Sequence, residues 1–356
     1  MRFILHTSSI LLLLSTACQS PDAPVVQKVS PDSTAVDSTA DTIIKPVLVS
    51  DTVKYDTDDP AIWINPTDAS ASLVLGTDKE EDGALYVFDL NGKIVGNKVV
   101  RNLKRPNNVD IEYGISLNGK PTDIAVVTER LTRKLRIFSL PDMKPVDNGG
   151  IEVFKGETGT EYRDLMGIAL YKNNKGNIYA IVGRKNGPKD SGYLWQYLLE
   201  DNGKGKVKAT LVRKFGKFSG LKEIEAIAVD DAMGYIYYSD EGFGVRKYYA
   251  EPSKGNDELA VFGSTGFKQD HEGISIYPTS DSTGYILVSD QQTNHFQVFT
   301  REGPNTFLKS LHLSTMESDG SDVTAHPLNS TFKKGLFVAM SDDKRFQFYK
   351  WEDLIQ

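Results

Sequence analysis

The chain repeats itself. A short alternating strand that closes on an aromatic residue recurs as YVF at Phe88, RIF at Phe138, WQY at Tyr197, RKY at Tyr248, QVF at Phe299 and QFY at Tyr349, with separations of 50, 59, 51, 51 and 50 residues. Ahead of each lies a more apolar strand with a polar end: LVLGTD to Asp78, IAVVTER to Arg130, YAIVGRK to Lys185, IYYSDE to Glu241, YILVSDQ to Gln291 and LFVAMSD to Asp342. A first strand precedes these, as in DPAIWIN, NNVDIEY, MGIALY, EAIAVDD and EGISIY, and a fourth follows in KIVGNKVV, IEVFKG, KATLVRKF and FLKSLHLS. Six units of four short strands, punctuated by turn residues such as NG and EG, predict an all-β, six-bladed β-propeller. A stack of β-sandwiches would not explain the constant period.

The two ends of the repeat fit together. After Tyr349 only Lys350 to Gln356 remain, too few for a fourth strand in the last blade, whereas IIKPVLVSDTVKY (Ile43 to Tyr55) precedes the first complete repeat. Pairing of N-terminal and C-terminal strands would close the ring and leave no open sheet edge at the seam. The expected domain is 46–356, with no second domain.

Upstream of it, residues 1–17 (MRFILHTSSILLLLSTA) read as a short secretory signal, followed at once by the single cysteine, Cys18. The placement resembles a bacterial lipoprotein box with Cys18 as the lipidated residue, although Ser15 stands where leucine is usual; the other reading is a secreted protein with an incidental cysteine. Residues 18–45 contain PDSTAVDSTADT and no aromatic residue, so a disordered tether is expected. The expected location is extracytoplasmic, at an outer membrane or cell surface, with membrane contact only through the lipid. One cysteine excludes an internal disulfide and a thiolate zinc site, so a metal here would be held by oxygen or imidazole. Lys and Arg number 41 against 48 Asp and Glu, a net charge of −7, which argues against nucleic acid as the partner.

Neighbouring strands of a blade run antiparallel, so the start of the first strand and the end of the second lie at the same mouth of the ring. First-strand starts carry Asp58, Asp59, Asn107, Asn108, Asp110, Glu223, Glu225, Asp270, Glu272 and the Asp319 to Asp322 loop. Second-strand ends carry Asp78, Lys79, Glu129, Arg130, Arg184, Lys185, Asp240, Glu241, Asp290, Asp342 and Asp343. Crowded carboxylates are relieved by a divalent cation, and all-oxygen ligands suit calcium. Lys79, Arg130 and Lys185, interleaved with them, would favour an anionic substrate such as a phosphate ester. Against this stands the ordinary use of Asp and Glu in turn loops.

These residues resemble the β-propeller phytases, also called alkaline or 3-phytases: calcium-dependent bacterial phosphomonoesterases of myo-inositol hexakisphosphate (phytate). The resemblance rests on DTDDPAIWINP (Asp56 to Pro66), LGTDKEEDGALYVFDLNGK (Leu75 to Lys93), RPNNVDIEYG (Arg105 to Gly114), IEAIAVDDAMGYIYYSDE (Ile224 to Glu241), DHEGISIY (Asp270 to Tyr277) and SDGSD (Ser318 to Asp322), in order along the whole chain after the tether. It implies several calcium ions, a calcium-phytate substrate, attack by a calcium-bound water, and a monomer. By motif, the ligands would be Asp58, Glu225, Glu241, Asp270, Glu272 and Asp319, with Asp59 and the Gly320 carbonyl holding a structural ion. Lys79, Arg130 and Lys185 would grip phosphate, with Arg184 as the alternative to Lys185. Glu241, Asp270, Lys79, Arg130 and Lys185 are the expected catalytic set.

Two positions depart from the family. Met166 stands where the family has a tyrosine before Gly167, and DGSDVTAHP lacks the aspartate expected near Thr324. They leave room for a weakly active or non-catalytic surface propeller that binds a phosphorylated ligand; a calcium-dependent propeller lactonase or esterase is a third reading. His271, Trp63, Trp195 and Trp351 read as packing residues, and no nucleophile elbow, HExxH or Walker pattern is present.

Overall fold

A computed structural model describes residues 42–355; the expected signal, Cys18 and all of the tether before residue 42 lie outside the described residues. The described chain forms six sheets, five of four strands and one of five. The inner, first strands are Thr57–Trp63, Pro106–Leu117, Leu165–Lys172, Ile227–Asp230, His271–Pro278 and Ser321–Thr324. Each sheet is antiparallel, and together they are the expected six-bladed propeller. Two fourth strands differ from expectation. In blade 1 the NG turn runs on into a 3-10 turn at Gly96–Lys98, which delays the strand to Val100–Leu103. In blade 2 the outer strand is split between Lys144–Pro145 and Ile151–Glu152.

The seam closes as expected. Leu48–Val49 pairs antiparallel with the last strand, Leu48 opposite Phe348 and Val49 opposite Gln347. The Val47 and Ser50 N–H groups donate to the Phe348 and Phe346 carbonyls at 2.8 and 2.9 Å. Packing starts earlier than the 45/46 boundary, because the Ile44 N–H donates to the His312 carbonyl at 2.8 Å.

The second strands read as continuous apolar runs because a propeller blade is buried on both faces. Val74 packs toward blade 6 with Phe346 and Phe348, and the next residue, Leu75, packs toward blade 2 with Val109 and Val127. Ile124 and Val126 face blade 3, while Ala125 and Val127 face blade 1. There are six such clusters, one between each neighbouring pair of blades. Each fully buried Leu, Val or Ile contributes about 1.5–3 kcal/mol, so the blades are held by side chains more than by hydrogen bonds between them.

One irregularity recurs at the same phase and positions the site. The inner strand carries an extra residue between Thr57 and Pro60, Pro106 and Val109, Leu165 and Ile168, and His271 and Ile274. A bulge of this kind re-aims a side chain out of the pleat. The bulged pairs are Asp58-Asp59, Asn107-Asn108, Met166-Gly167 and Glu272-Gly273, and Glu225-Ala226 and Asp319-Gly320 hold the equivalent places in blades 4 and 6. The second member lies against the neighbouring blade's backbone. A Cβ on Gly167 would stand 2.0 Å from the Glu225 carbonyl oxygen, and one on Gly320 would stand 2.6 Å from the Asp58 carbonyl oxygen.

Candidate active site

The first members of these pairs converge on one mouth. Asp58, Asn107 and Glu272 come from the bulges of blades 1, 2 and 5 and Glu225 and Asp319 from the equivalent places in blades 4 and 6, and the Asn107 amide ties two of them together by donating to Glu225 Oε1 at 2.5 Å and Asp58 Oδ2 at 3.3 Å. A second tier comes from the ends of the second strands, where consecutive residues take different tasks. Asp78 accepts the Tyr55 and Asp56 N–H groups at 3.0 and 2.7 Å, Glu129 accepts from Lys104 at 2.8 Å, Asp240 from Ser219 at 2.8 Å and Asp290 from Lys268 at 3.1 Å. These carboxylates anchor the segments entering each blade. The residues that follow the second-strand ends of blades 1, 3, 4 and 5, namely Lys79, Lys185, Glu241 and Gln291, line the mouth.

Arg184 occupies the anchoring place in blade 3 and is a correction to the expectation that it could hold phosphate. It is wholly buried, and its guanidinium donates to Glu157 and to the Tyr162, Gly192 and Tyr193 carbonyls at 2.7–3.1 Å. Lys185 faces the cavity instead, loosely paired with Glu223 at 3.7 Å and Glu161 at 3.9 Å. Arg130 is drawn back. Its Nε donates to the Leu165 carbonyl at 3.2 Å and its Nη2 lies against the Met166 sulfur, so it is not among the residues lining the cavity.

That cavity has a volume of about 780 Å³ and is lined by Lys79, Lys185, Lys189 and Lys222 together with Glu161, Glu223, Glu225, Glu241, Asp270, Glu272 and Asp319. Glu223, Glu225 and Glu241 bring ligand oxygens within 4.8 Å of one another, as do Glu241, Asp270 and Glu272. Glu241 is common to both trios, so that if each trio held a cation Glu241 would be a ligand of both. The lysine at the centre already plays a cation's part: Lys79 Nζ lies 2.5 Å from Asp58 Oδ1 and 3.2 Å from Asp319 Oδ2. Lys222 contacts Asp270, whose Oδ2 accepts from Gln292 at 2.6 Å, and Gln291 donates to Asp319.

The electrostatics match. Burial, then the neighbouring carboxylates Glu225, Glu223 and Asp270, push Glu241 up to about 9. Burial likewise raises Glu272 and Asp58 well above the usual carboxylate range, with Glu241 and Glu225 adding to the first and Glu225 and Asp319 to the second. For Lys79 burial alone would lower the pKa, but Asp58, Glu225 and Asp319 more than reverse it. Glu241 Oε1 and Glu272 Oε2 are buried with no hydrogen-bond partner. Orphaned buried carboxylate oxygens in a like-charged cluster are costly, and a hard divalent cation would relieve them. The donor set is entirely oxygen, which fits calcium and does not suit softer metals.

Asp59 and Gly320 lie deeper. The Asp59 carboxylate is half-buried, accepts the Val109 N–H at 3.0 Å, and borders a small channel cavity with Asn108, Asp110 and Asp322. The Gly320 carbonyl accepts the Met340 N–H at 2.9 Å and the Ser318 hydroxyl at 3.3 Å, and an ion there would have to displace the hydroxyl. Thr324 stands at the end of the first strand of blade 6, paired with Leu336, and does not border the mouth cavity. His271 donates to or accepts from the Gly263 carbonyl at 2.7 Å and stacks on Phe267, so it packs as expected, and Trp63, Trp195 and Trp351 are buried. Glu223, Lys189, Lys222 and Gln291 are additions to the expected set. Glu223 and Gln291 were visible by phase in the repeat; the two lysines stand in loops that the repeat does not register.

Comparison with known proteins gives two findings. A family model described as Phytase matches residues 2–348. The 3-phytase of Bacillus subtilis (strain 168) is 29% identical over 342 residues, covering 89% of this chain and 84% of that protein.

Proposed function

The chain belongs to the phytase family, and from that premise we propose that it is a calcium-dependent phosphomonoesterase that hydrolyses phytate or related inositol phosphates. The carrying observation is Glu241, buried, partly orphaned and shared by both carboxylate trios beside Lys79 and Lys185. The similarity to a 3-phytase supports the substrate class, and position-3 specificity is part of the proposal.

Glu223, Glu225, Glu241, Asp270 and Glu272 would hold the ions, with Asp58 and Asp319 completing the donor set as Lys79 is drawn off them. Calcium bound there would neutralise phosphate charge and lower the pKa of water for in-line attack. The lining carries four lysines against seven carboxylates, three formal negative charges in excess; two divalent cations would leave it positive and receptive to a polyanion. Lys79 and Lys185 orient phosphate oxygens and stabilise charge on the equatorial and leaving oxygens. Arg130, held against Met166, would contribute less. Asp59 and Gly320 are proposed to support a structural ion in the channel.

A second reading, a surface propeller that binds a phosphorylated ligand without turning it over, is favoured by the withdrawn Arg130 and by Met166 in the place of the family tyrosine. The lactonase reading has no observation in its favour, and four lysines at the mouth weigh against it. The same proposal places the protein outside the cytoplasm as a monomer, tethered through Cys18. Phosphate release from calcium-phytate near neutral to alkaline pH, with and without chelator, is the test. Chelator-sensitive release is expected; no release from folded, calcium-loaded protein overturns the enzymatic reading and leaves the binding one.

A further inference from the structure

The carboxylate trios occupy only part of the mouth. Blade 3 and its linker to blade 4 contribute Lys185, Asn186, Lys189, Phe218, Gly220 and Lys222 to the same cavity. Lys189 has no carboxylate partner among the described residues, and its position is built. Its ammonium lies over Gly220, where a Cβ would meet Lys189 Nζ at 2.2 Å, and Gly220 itself has a φ of +74° that disfavours any side chain. The loop beneath is rooted in the core: the Phe218 N–H donates to the Lys189 carbonyl at 2.9 Å, and the buried Phe218 ring packs on Tyr193 with centroids 4.5 Å apart. Lys222 is held by Asp270 alone, one of the residues that would turn to a cation, and its side chain is 43% exposed.

We propose that Lys189 and Lys222, with the Asn186 amide, form a further anion subsite beside the carboxylate cluster, one that takes an additional phosphate of a polyphosphorylated substrate. When Asp270 ligates a cation it ceases to neutralise Lys222, and the lysine is released toward the ligand beside the unpaired Lys189. A cavity of about 780 Å³ is far larger than one phosphate requires and suits a ligand of drug-like size. The subsite compensates for Arg130: positive charge withdrawn on the blade 2 side is supplied on the blade 3 to blade 4 side. A substrate with a single phosphate reaches only the cations and Lys79, whereas one carrying several reaches both regions.

This rests on the phosphomonoesterase reading for the substrate class, and two readouts separate them. Binding of the non-hydrolysable myo-inositol hexakissulfate to calcium-loaded protein is measured by calorimetry for wild type, Lys189→Gln, Lys222→Gln and the double variant. Turnover of inositol hexakisphosphate and of phenyl phosphate is measured in parallel. Loss of two charge-assisted contacts should weaken hexakissulfate binding by about tenfold or more in the double variant, with KM for the hexakisphosphate raised similarly and a distinctly smaller loss on phenyl phosphate. Unchanged hexakissulfate binding, or equal loss on both esters, overturns the subsite. If wild type hydrolyses neither ester the enzymatic reading falls, and the calorimetry alone decides the subsite; wild type that fails to bind hexakissulfate overturns it too. Both lysines are at the surface, and matching melting temperatures verify the fold of the variants.

Discussion

The guanidinium of Arg130 lies against the sulfur of Met166 while its Nε donates to the Leu165 carbonyl at 3.2 Å. A cation so engaged has to give up a backbone hydrogen bond before it can reach a phosphate. Lys185 has only loose partners, at 3.7 and 3.9 Å. Arg130→Gln is therefore expected to lower kcat/KM on phytate by less than about threefold, and Lys185→Gln by about tenfold or more, since a charge-assisted bond contributes about 1.5–3 kcal/mol. Steady-state kinetics on the two variants settles the ranking; equal losses would show that Arg130 swings into the site.

Glu241 joins the two trios, so its substitution should disable both cation positions together. Glu241→Gln is expected to reduce phosphate release by about a hundredfold or more and to abolish most of the calcium-induced rise in melting temperature. In chelator the variant should melt no lower than wild type, because one member of a like-charged buried cluster has been removed. Calorimetric scans with and without calcium measure both effects, and a variant that kept its calcium response would move the shared ligand elsewhere.

The ring was legible from the period of its aromatic strands, and so was the seam, because a missing strand at one end and a surplus strand at the other are countable. The mouth was legible as a phase. Which of two adjacent residues faces it was not. Asp78 and Lys79, or Arg184 and Lys185, share a phase in the repeat, yet the first of each pair anchors the incoming segment and the second lines the cavity. On the first strands a bulge of one residue decides which neighbour faces the mouth, and a bulge leaves little trace in sequence beyond the glycines at Gly167 and Gly273. Glu223 stood in phase with the ligands but belonged to no motif. The withdrawal of Arg130 depends on packing against Met166, a contact between blades that no spacing encodes.

The pH dependence of the metal-free protein has a definite sign. Glu241 is pushed up to about 9 by burial and by Glu225, Glu223 and Asp270, and Asp110 and Asp322, half-buried in the channel, are raised to about 8 and about 7, chiefly by desolvation. A carboxyl whose folded pKa lies above its unfolded value binds more protons when folded, so its stabilisation is complete below the unfolded pKa and is lost as pH rises through the folded one. In chelator the melting temperature should therefore fall between about pH 5 and pH 9. Calcium should flatten the part of this fall that comes from Glu241 and its neighbours. Parallel melting series with calcium and with chelator test this, and parallel slopes would count against cation binding at the mouth.

The seam depends on very few residues. Leu48–Val49 is a strand of two residues, yet it covers the edge of the last strand of blade 6. Around it the Val47 and Ser50 N–H groups bind the Phe348 and Phe346 carbonyls at 2.8 and 2.9 Å, and Ser50 Oγ accepts the Phe346 N–H at 2.9 Å. Removing residues up to Ser50 exposes an edge strand whose middle residues, Phe346 and Phe348, are fully buried. With each backbone bond contributing about 0.5–1.5 kcal/mol net, the loss should be several kcal/mol, and the melting temperature should fall by on the order of 10 °C. The open edge should also promote self-association. Comparing chains that begin at residues 42 and 51 by calorimetry and by sedimentation measures both. A fall below about 2 °C would mean that the ring is held by its inter-blade cores and that the closing strand is dispensable.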